Sequence, residues 1–287
     1  MWTAPLQAPY DLPAADDGPA SSPPVPKHYL GVWRRTLLTN TEGLEDRSTR
    51  VFWLQTAHAH IDLRVPAERP DLASARSLDA LPRRDLVELA RQQGFAGITH
   101  ITSGSTPVCT WHRRIDFSPP GDARDIATVA FESPEVLLED GVDAVYHERW
   151  VREDDSSGTA WALSLPSLST RDAAPAAQPV SGCMANAFPH CLLARAGRHF
   201  MYARARSATA SAQLAVHRNR DLADLIADPE LPLDLARAWL DFEISYGRVD
   251  EDGVWRIALS TLPWREGRPV FDTETMAAVL AQPTDFS

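Results

Sequence analysis

The sequence predicts a mostly β protein with an antiparallel barrel, a second smaller barrel or half-barrel, and a few inserted helices. Strand-like runs, in which aromatic, β-branched and leucine residues alternate with polar ones, occur in both halves of the chain. Clusters of Gly, Pro, Ser and Asp separate these runs, as turns do in meandering antiparallel sheets. With 287 residues and 44% hydrophobic content, the chain can bury a large core.

The charge balance of the chain excludes some partners. It has 28 Lys and Arg residues against 39 Asp and Glu, whereas a nucleic acid or an anionic membrane demands a basic face. We therefore expect neither nucleic acid nor membrane as a partner. No apolar run approaches the ~18 residues of a membrane span, no signal peptide is evident, and the three cysteines cannot all pair. These features favour a cytoplasmic location.

The first half is predicted to contain an arm, six strands and one helix. Residues 1–27 are rich in Pro, Ala, Asp and Ser, which predicts an extended or disordered arm. Leucines at helical spacing, followed by a glycine, predict a helix over 79–93. The strands are predicted over 29–39, 49–65, 95–102, 108–117, 127–132 and 144–153. Together these strands predict a first barrel over 28–155.

The second half is predicted to be a smaller β domain with helices, over 156–287. The boundary falls in the polar segment 154–158. Strands are predicted over 160–165, 191–195, 199–206, 241–249 and 254–260, and helices over 210–227 and 233–240.

A small pattern recurs on four of the predicted strands: an aromatic residue is followed two places later by a polar or charged one. Residues i and i+2 point to the same face of a strand. If these faces converge, the barrel contains a pocket of indole and phenol rings with guanidinium, amide and carboxylate groups, a composition typical of ligand sites. The predicted ligand-binding residues are Trp33, Arg35, Trp53, Gln55, Trp111 and Trp150, beside Arg113, Tyr146 and Glu148.

Gly31-Val32-Trp33 on the first strand resembles the Gly-x-Trp signature of lipocalins and their wider calycin relatives. In that superfamily the tryptophan closes one end of the barrel, and an arginine from a late strand packs across it. The resemblance implies that Arg113 or Arg152 has this role, with Trp33 as a structural plug. The inserted helix and the second half look more like two-barrel calycin-like proteins of fungi and bacteria. This resemblance implies a ligand-binding barrel without fixing any chemistry.

Glu148 and Tyr146 are the predicted acid/base groups, because burial among tryptophans raises the pKa of a carboxyl. Arg113 or Arg35 would then stabilise a developing anion. A salt bridge between Arg113 and Glu148 is the main rival explanation, since it would satisfy both groups without any function. Gln55 is the one polar residue on an otherwise apolar strand face.

His58 and His60 have a spacing that suits a metal ion in several barrel folds, because both rings project from one side of a strand. No third ligand is evident, and the face that they share with Asp62 is the more polar one. We therefore expect histidines that face solvent, and no metal. No nucleotide-binding or nucleophile motif occurs, and no cofactor is expected.

The sequence thus predicts binding of a small, partly apolar, carboxylate-bearing or otherwise acceptor-rich molecule in the first barrel. If the protein is an enzyme, cofactor-independent isomerisation, hydration, dehydration or cyclisation fits these residues. The alternative is a protein-interaction scaffold, in which side chains fill the barrels and the acidic surface is the functional part. An open cavity favours binding, and side chains that fill the barrel favour the scaffold.

Overall fold

The first part of the molecule is a closed antiparallel barrel. The computed structural model describes residues 23–165, 178–179 and 190–281. The first nine strands are β1 (Gly31–Asn40), β2 (Glu45–Asp46), β3 (Arg50–Gln55), β4 (Ala59–Val65), β5 (Gln93–Ile101), β6 (Val108–Asp116), β7 (Ile126–Ser133), β8 (Val136–Gly141) and β9 (Tyr146–Arg152). β1 and β3 to β9 pair in sequence order, and β9 pairs back onto β1, so eight strands close the barrel and β2 is an extra edge strand. The predicted mostly β fold is confirmed.

The single strand predicted over 49–65 is wrong, because the chain reverses within it and forms the β3–β4 hairpin. The Thr56 hydroxyl accepts hydrogen bonds from the N–H groups of His58 and Ala59 at 3.4 and 3.0 Å, and the Thr56 N–H donates to the Ala59 carbonyl. A threonine side chain thus stabilises a turn that Gly or Asn more often makes. After the turn, the inward face of β4 consists of His60, Asp62 and Arg64, which pair with Gln55, Trp53 and Val51 of β3.

Two other elements of the barrel differ from their predictions. β8 was not predicted, because Glu139 and Asp140 resemble loop residues, yet Glu139 is only 4% exposed. The helix predicted over 79–93 is present as the shorter α1 (Arg83–Ala90), which follows a 3-10 turn over Leu78–Ala80. The chain continues as strand from Gln93, so the end of the predicted helix belongs to β5.

The barrel has a lower end, where β1 begins, and an upper end, where β1 finishes and β9 begins. The chain that enters β1 covers the lower end: Val25 and Tyr29 are buried, and the Val25 N–H donates to the Ala57 carbonyl at 2.7 Å. Residues 1–22 of the predicted arm lie outside the described residues.

The second part is an open antiparallel sheet that packs on the barrel. Its strands are β10 (Ala160–Leu165), β11 (Gln178–Pro179), β12 (Cys191–Ala196), β13 (His199–Arg204), β14 (Glu243–Val249) and β15 (Trp255–Ser260), in the order β11-β10-β12-β13-β14-β15. One face shares a buried apolar core with the outward residues of β3 and β4. At this interface Phe52 stacks on Tyr246 with ring centroids 3.9 Å apart. The described strands of this part form no second closed barrel.

Four further helices follow: α2 (Ala208–Ala215), α3 (Leu222–Ala227), α4 (Leu233–Leu240) and α5 (Thr273–Leu280). The helix predicted over 210–227 is interrupted between α2 and α3, where Asn219 has a positive φ of 58°. The carboxylate of Asp221 then caps α3 by accepting from the Asp224 N–H. Among the described helices, none is long and apolar enough to cross a membrane.

Arg206, just before α2, joins the helices to the upper end of the barrel. Its guanidinium donates to the carbonyls of Asp116 and Phe117, where β6 ends, at 2.9 and 2.7 Å. It also donates to the Trp239 carbonyl in α4 at 2.8 Å. One buried side chain therefore fixes α2 and α4 relative to the mouth of the barrel.

Candidate functional site

Trp33 closes the lower end of the barrel. Its side chain is fully buried, and its Nε1 donates to the Tyr29 carbonyl at 2.8 Å. The guanidinium of Arg152 lies over the Trp33 ring, 4.2 Å from the centroid, as a cation–π contact. Of the two arginines that the calycin resemblance implied, Arg152 is therefore the one that packs across the tryptophan. The structure places Trp33 in this plug and away from any open surface.

A layer of tryptophans fills the barrel above the plug. Trp53 stacks on Trp33 with centroids 6.4 Å apart, and it makes edge-to-face contacts with Trp111 and Trp150 at 5.6 and 5.8 Å. Trp53 and Trp150 are each 2% exposed, so the lower half of the barrel is solid. Trp111 differs from the other three, because part of its ring lines an open cleft at the upper end.

Gln55 lies in the tryptophan layer, and both ends of its amide are used. Its carbonyl oxygen accepts from Trp53 Nε1 at 3.2 Å and from Thr99 Oγ1 at 2.8 Å. Its Nε2 donates to the carbonyls of Thr56 and Ala59 at 2.8 and 3.3 Å. These bonds explain how a polar residue is accommodated on an apolar face. The structure places Gln55 in the barrel's own hydrogen-bond network, away from the cleft.

The expectation of solvent-facing histidines is wrong for His60, which is fully buried because the hairpin turns its side chain inward. Its Nδ1 lies 3.0 Å from Thr99 Oγ1. Thr99 gives its own proton to Gln55, so His60 Nδ1 is the donor and its Nε2 carries a lone pair. Burial, aided by nearby positive charge, holds the pKa of His60 well below its usual value, and the ring is neutral. His58 is half-buried in the turn and does not share a strand with His60.

A layer of charged side chains begins above the tryptophans. Arg35, which is 8% exposed, donates from Nη1 to Glu148 Oε1 at 2.6 Å and from Nη2 to Asp46 Oδ2 at 2.7 Å. Glu148 is 2% exposed, and its Oε2 has no hydrogen-bond partner in the described part of the chain. A buried carboxylate oxygen without a donor is costly, so this atom marks a place for a proton, a water molecule or a ligand.

Arg113 pairs with other carboxylates than Glu148. It donates to Asp125 from Nε and Nη2 at 3.0 and 2.8 Å and to Asp116 from Nη1 at 3.3 Å. Its guanidinium also lies 3.8 Å from the centroid of the Phe95 ring. Two separate sets of ion pairs thus take the place of the salt bridge that would have linked Arg113 to Glu148. The Arg113 side chain remains about one-third exposed and faces the cleft.

Glu139, which is not among the predicted site residues, lies directly opposite Glu148 on the neighbouring strand β8. The Tyr146 hydroxyl donates to Glu139 Oε1 at 2.8 Å. Burial, and after it the neighbouring Glu148 carboxylate, raise the pKa of Glu139 well above its usual value. Burial also raises the pKa of Glu148, against the opposing effect of nearby arginines. The period-2 pattern Leu137-x-Glu139 is the signal that could have revealed this residue.

An open cleft of about 990 Å³ begins at the charged layer and continues outward past α2. Its lining contains eight arginines and three carboxylates, the reverse of the chain's overall ratio of 28 to 39. One of these arginines, Arg64, was not predicted to face inward, because residues 49–65 were expected to form one strand. Such a cleft has the size of a small-molecule site. Six of its eight arginines are paired with carboxylates, five of which lie outside the lining. The inner end is lined by Arg35, Arg64, Trp111, Arg113, Tyr146 and Glu148.

The closed eight-strand barrel, its extra strand and the second sheet fit a calycin-like barrel fold. The fold and the cleft together define a closed antiparallel β-barrel with a lower half filled by side chains and an open, polar upper end. No family model matches the chain, and no curated protein matches it. Among solved structures, the chain is similar to the uncharacterized protein YLR301w from Saccharomyces cerevisiae, with 13% identity and a TM-score of 0.45. The match covers 80% of this chain and 84% of that chain.

Proposed function

We propose that the protein binds a small, partly apolar, anionic molecule in the mouth of its first barrel. The observation that carries the proposal is the surplus of arginine in the cleft, with eight arginines against three carboxylates in an acidic chain. Because six of these arginines are also ion-paired, the cleft offers a ligand a concentration of guanidinium N–H donors rather than a large net charge. The paired N–H groups of arginine suit a carboxylate or another acceptor-rich group.

The inner arginines are already held in place, which supports the proposal. Arg35, Arg64 and Arg113 each donate to a carboxylate at 2.6 to 2.8 Å. Side chains fixed in this way lose little rotamer freedom when a ligand binds, so more of the interaction energy appears as affinity. Trp111 at the inner end and the exposed Val145 at the rim supply apolar surface for the rest of the molecule.

We propose Glu148 as the acid/base group if the bound molecule is transformed by isomerisation, hydration, dehydration or cyclisation. Its raised pKa and its position in the cleft support this role. Tyr146 is less suited to proton transfer with a ligand, because its hydroxyl donates to Glu139. Arg113 lies in the cleft, where it would stabilise a developing anion. The solid tryptophan layer supports the scaffold alternative, but the open mouth above it favours binding.

Replacing Arg113 with glutamine should weaken the binding of an anionic aromatic probe. We choose 8-anilinonaphthalene-1-sulfonate, which joins a sulfonate to aromatic rings and is followed by its own fluorescence and by energy transfer from the tryptophans of the barrel. We expect Arg113→Gln to raise the Kd about tenfold, because a hydrogen bond to a charged group contributes ~1.5–3 kcal/mol.

Arg34→Gln is the matched control for this titration. Arg34 belongs to the same barrel, but its side chain is 45% exposed and pairs with Glu153 at 2.8 Å outside the cleft. The Kd of this variant should equal that of the wild type. Equal Kd values for the wild type and Arg113→Gln, or no saturable binding by the wild type, would contradict the proposed site.

A further inference from the structure

We propose that Glu139 and Glu148 share one proton at neutral pH, as a carboxylic acid–carboxylate pair at the inner end of the cleft. The existence of this pair is independent of any ligand, whereas its use on a bound molecule rests on the proposed function. Glu148 lines the cleft and would touch the ligand. Glu139 acts through Glu148 and is therefore a positioning residue.

Strand pairing brings the two carboxyl groups together. Glu139 on β8 is the direct partner of Glu148 on β9, and both side chains point into the barrel. Directly opposite side chains in an antiparallel pair have Cβ atoms about 4.5–5.5 Å apart. Glu139 is 4% exposed and Glu148 is 2% exposed, so water screens their repulsion only weakly. Two ionised carboxylates are disfavoured in this arrangement, and one proton between them removes the repulsion.

The arginines around the pair do not neutralise Glu139. Each of the three arginines that face this layer donates to a carboxylate other than Glu139. Arg35 contacts Glu148, which keeps that group as the ionised member. Glu139 receives its hydrogen bond from a neutral hydroxyl, that of Tyr146. The charged and titratable groups that face the pair are Arg35, Asp46, Asp62, Arg64, Cys109, Arg113, Asp125 and Tyr146.

One proton shared by the two carboxyl groups would also give a hydrogen-bond donor to an oxygen that lacks one. Glu148 Oε1 accepts from Arg35, while its buried Oε2 has no donor among the described residues. Glu139 Oε1 accepts from Tyr146. A protonated Glu139 has one O–H to donate, and Glu148, its partner across the strands, has one oxygen without a donor among the described residues. The proposed proton would therefore supply a donor to the oxygen of Glu148 that has none in the described part of the chain.

The pair gives the cleft one transferable proton. In this step the proton moves from Glu139 to Glu148 and from Glu148 to a basic atom of the bound molecule. Both carboxyl groups are then ionised, so the charge of the pair changes from −1 to −2. The new bond is between the proton and the ligand atom, and the bond that breaks is the O–H of Glu139. Repulsion between the two carboxylates then favours return of a proton from the product or from water.

Infrared spectroscopy tests the shared proton directly, because the carbonyl band of a carboxylic acid is separate from the bands of carboxylates. The wild type at pH 7 should show a band that Glu139→Gln loses. In Glu148→Gln the neighbouring negative charge is gone, so the pKa of Glu139 should fall and its band should titrate at lower pH. Glu153→Gln, which alters an ion pair outside the cleft, should leave the band unchanged.

Two results would overturn the shared proton: no acid band in the wild type at pH 7, or an unreduced band in Glu139→Gln. A band whose midpoint stays at the same pH in Glu148→Gln would equally contradict it. The anilinonaphthalene titration separates this proposal from the proposed function. If the wild type shows the acid band but does not bind the probe, only the proposed ligand site is contradicted. If it binds the probe but lacks the band, only the proposed proton pair is contradicted.

The pH dependence of the melting temperature should also depend on the proton of Glu139. The folded-state pKa of Glu139 lies above its ordinary value of 4.5, so between these two pH values the folded state binds more protons than the unfolded state. Stability therefore falls as pH rises through this window. Buried histidines with lowered pKa values, such as His60, act in the opposite sense, so the readout is the difference between two proteins. We expect the Tm of the wild type, relative to that of Glu139→Gln, to fall from pH 5 to pH 8. An equal change of Tm with pH in both proteins would contradict the assignment.

Discussion

Arg206→Met should lower the free energy of unfolding by about 3 kcal/mol or more. The guanidinium donates to three backbone carbonyls at 2.7 to 2.9 Å, and each buried acceptor that loses its donor costs ~1–3 kcal/mol. Burial lowers the pKa of Arg206 to about 10, so the group is still charged at neutral pH. Methionine fills part of the space between the rings of Phe117 and Phe242, which limits the contribution of a cavity.

Arg204→Met provides the comparison for this substitution. Arg204 lies two residues away and pairs with Asp241 at 2.7 Å, but its side chain is 29% exposed and that of Asp241 is 57% exposed. An ion pair of this kind contributes at most ~1 kcal/mol. Urea unfolding of both variants measures the difference. Equal losses of stability would show that Arg206 is not the clamp between the barrel mouth and the helices.

Arg35→Met should destabilise the protein by about 3–5 kcal/mol, because removing one partner of a buried ion pair leaves the other charge uncompensated. Arg35 and Glu148 are 6% and 3% exposed at their side chains, and Nη1 lies 2.6 Å from Oε1. Arg35 also holds Asp46 of the edge strand β2 at 2.7 Å. The neighbouring Arg34→Met, which alters a pair that is 45% and 21% exposed, should cost at most ~1 kcal/mol.

The double variant Arg35→Met, Glu148→Gln separates an uncompensated charge from lost packing. Glutamine removes the buried negative charge, so the double variant should be more stable than Arg35→Met alone. Denaturant unfolding of the four proteins of this cycle gives the coupling energy between the two residues. A double variant that is less stable than Arg35→Met would contradict the account of the charged layer.

The barrel and its inward pattern could be predicted from sequence because they depend on local period-2 alternation. Trp33, Arg35, Trp53 and Gln55 are each spaced to face inward on their strand, and the structure brings their side chains into one barrel interior. Arg152 was among the two candidates for the contact with Trp33 for a different reason, because the calycin resemblance implied an arginine from a late strand.

The β3–β4 turn, the inward position of Glu139 and the partner of Glu148 could not be predicted, because the alternation of residues along a strand carries no information about them. The β3–β4 turn is made by the hydroxyl of Thr56 and carries no glycine, asparagine or proline, so the reversal was invisible and with it the inward position of Arg64. Glu139 looked like a loop residue because an interior acid and a surface acid have the same sequence signal. The choice of Arg35 over Arg113 as the partner of Glu148 follows from strand order, since β1 and β9 are neighbours in the closed barrel.

The central claim is that the open mouth of the barrel binds an anionic small molecule. Native mass spectrometry of the protein purified from its own host tests this claim most directly, with Arg113→Gln and Arg34→Gln purified in the same way. The account predicts a retained small molecule in the wild type and in Arg34→Gln, and its loss or lower occupancy in Arg113→Gln. Wild-type protein with no added mass, or equal occupancy in all three proteins, would contradict it.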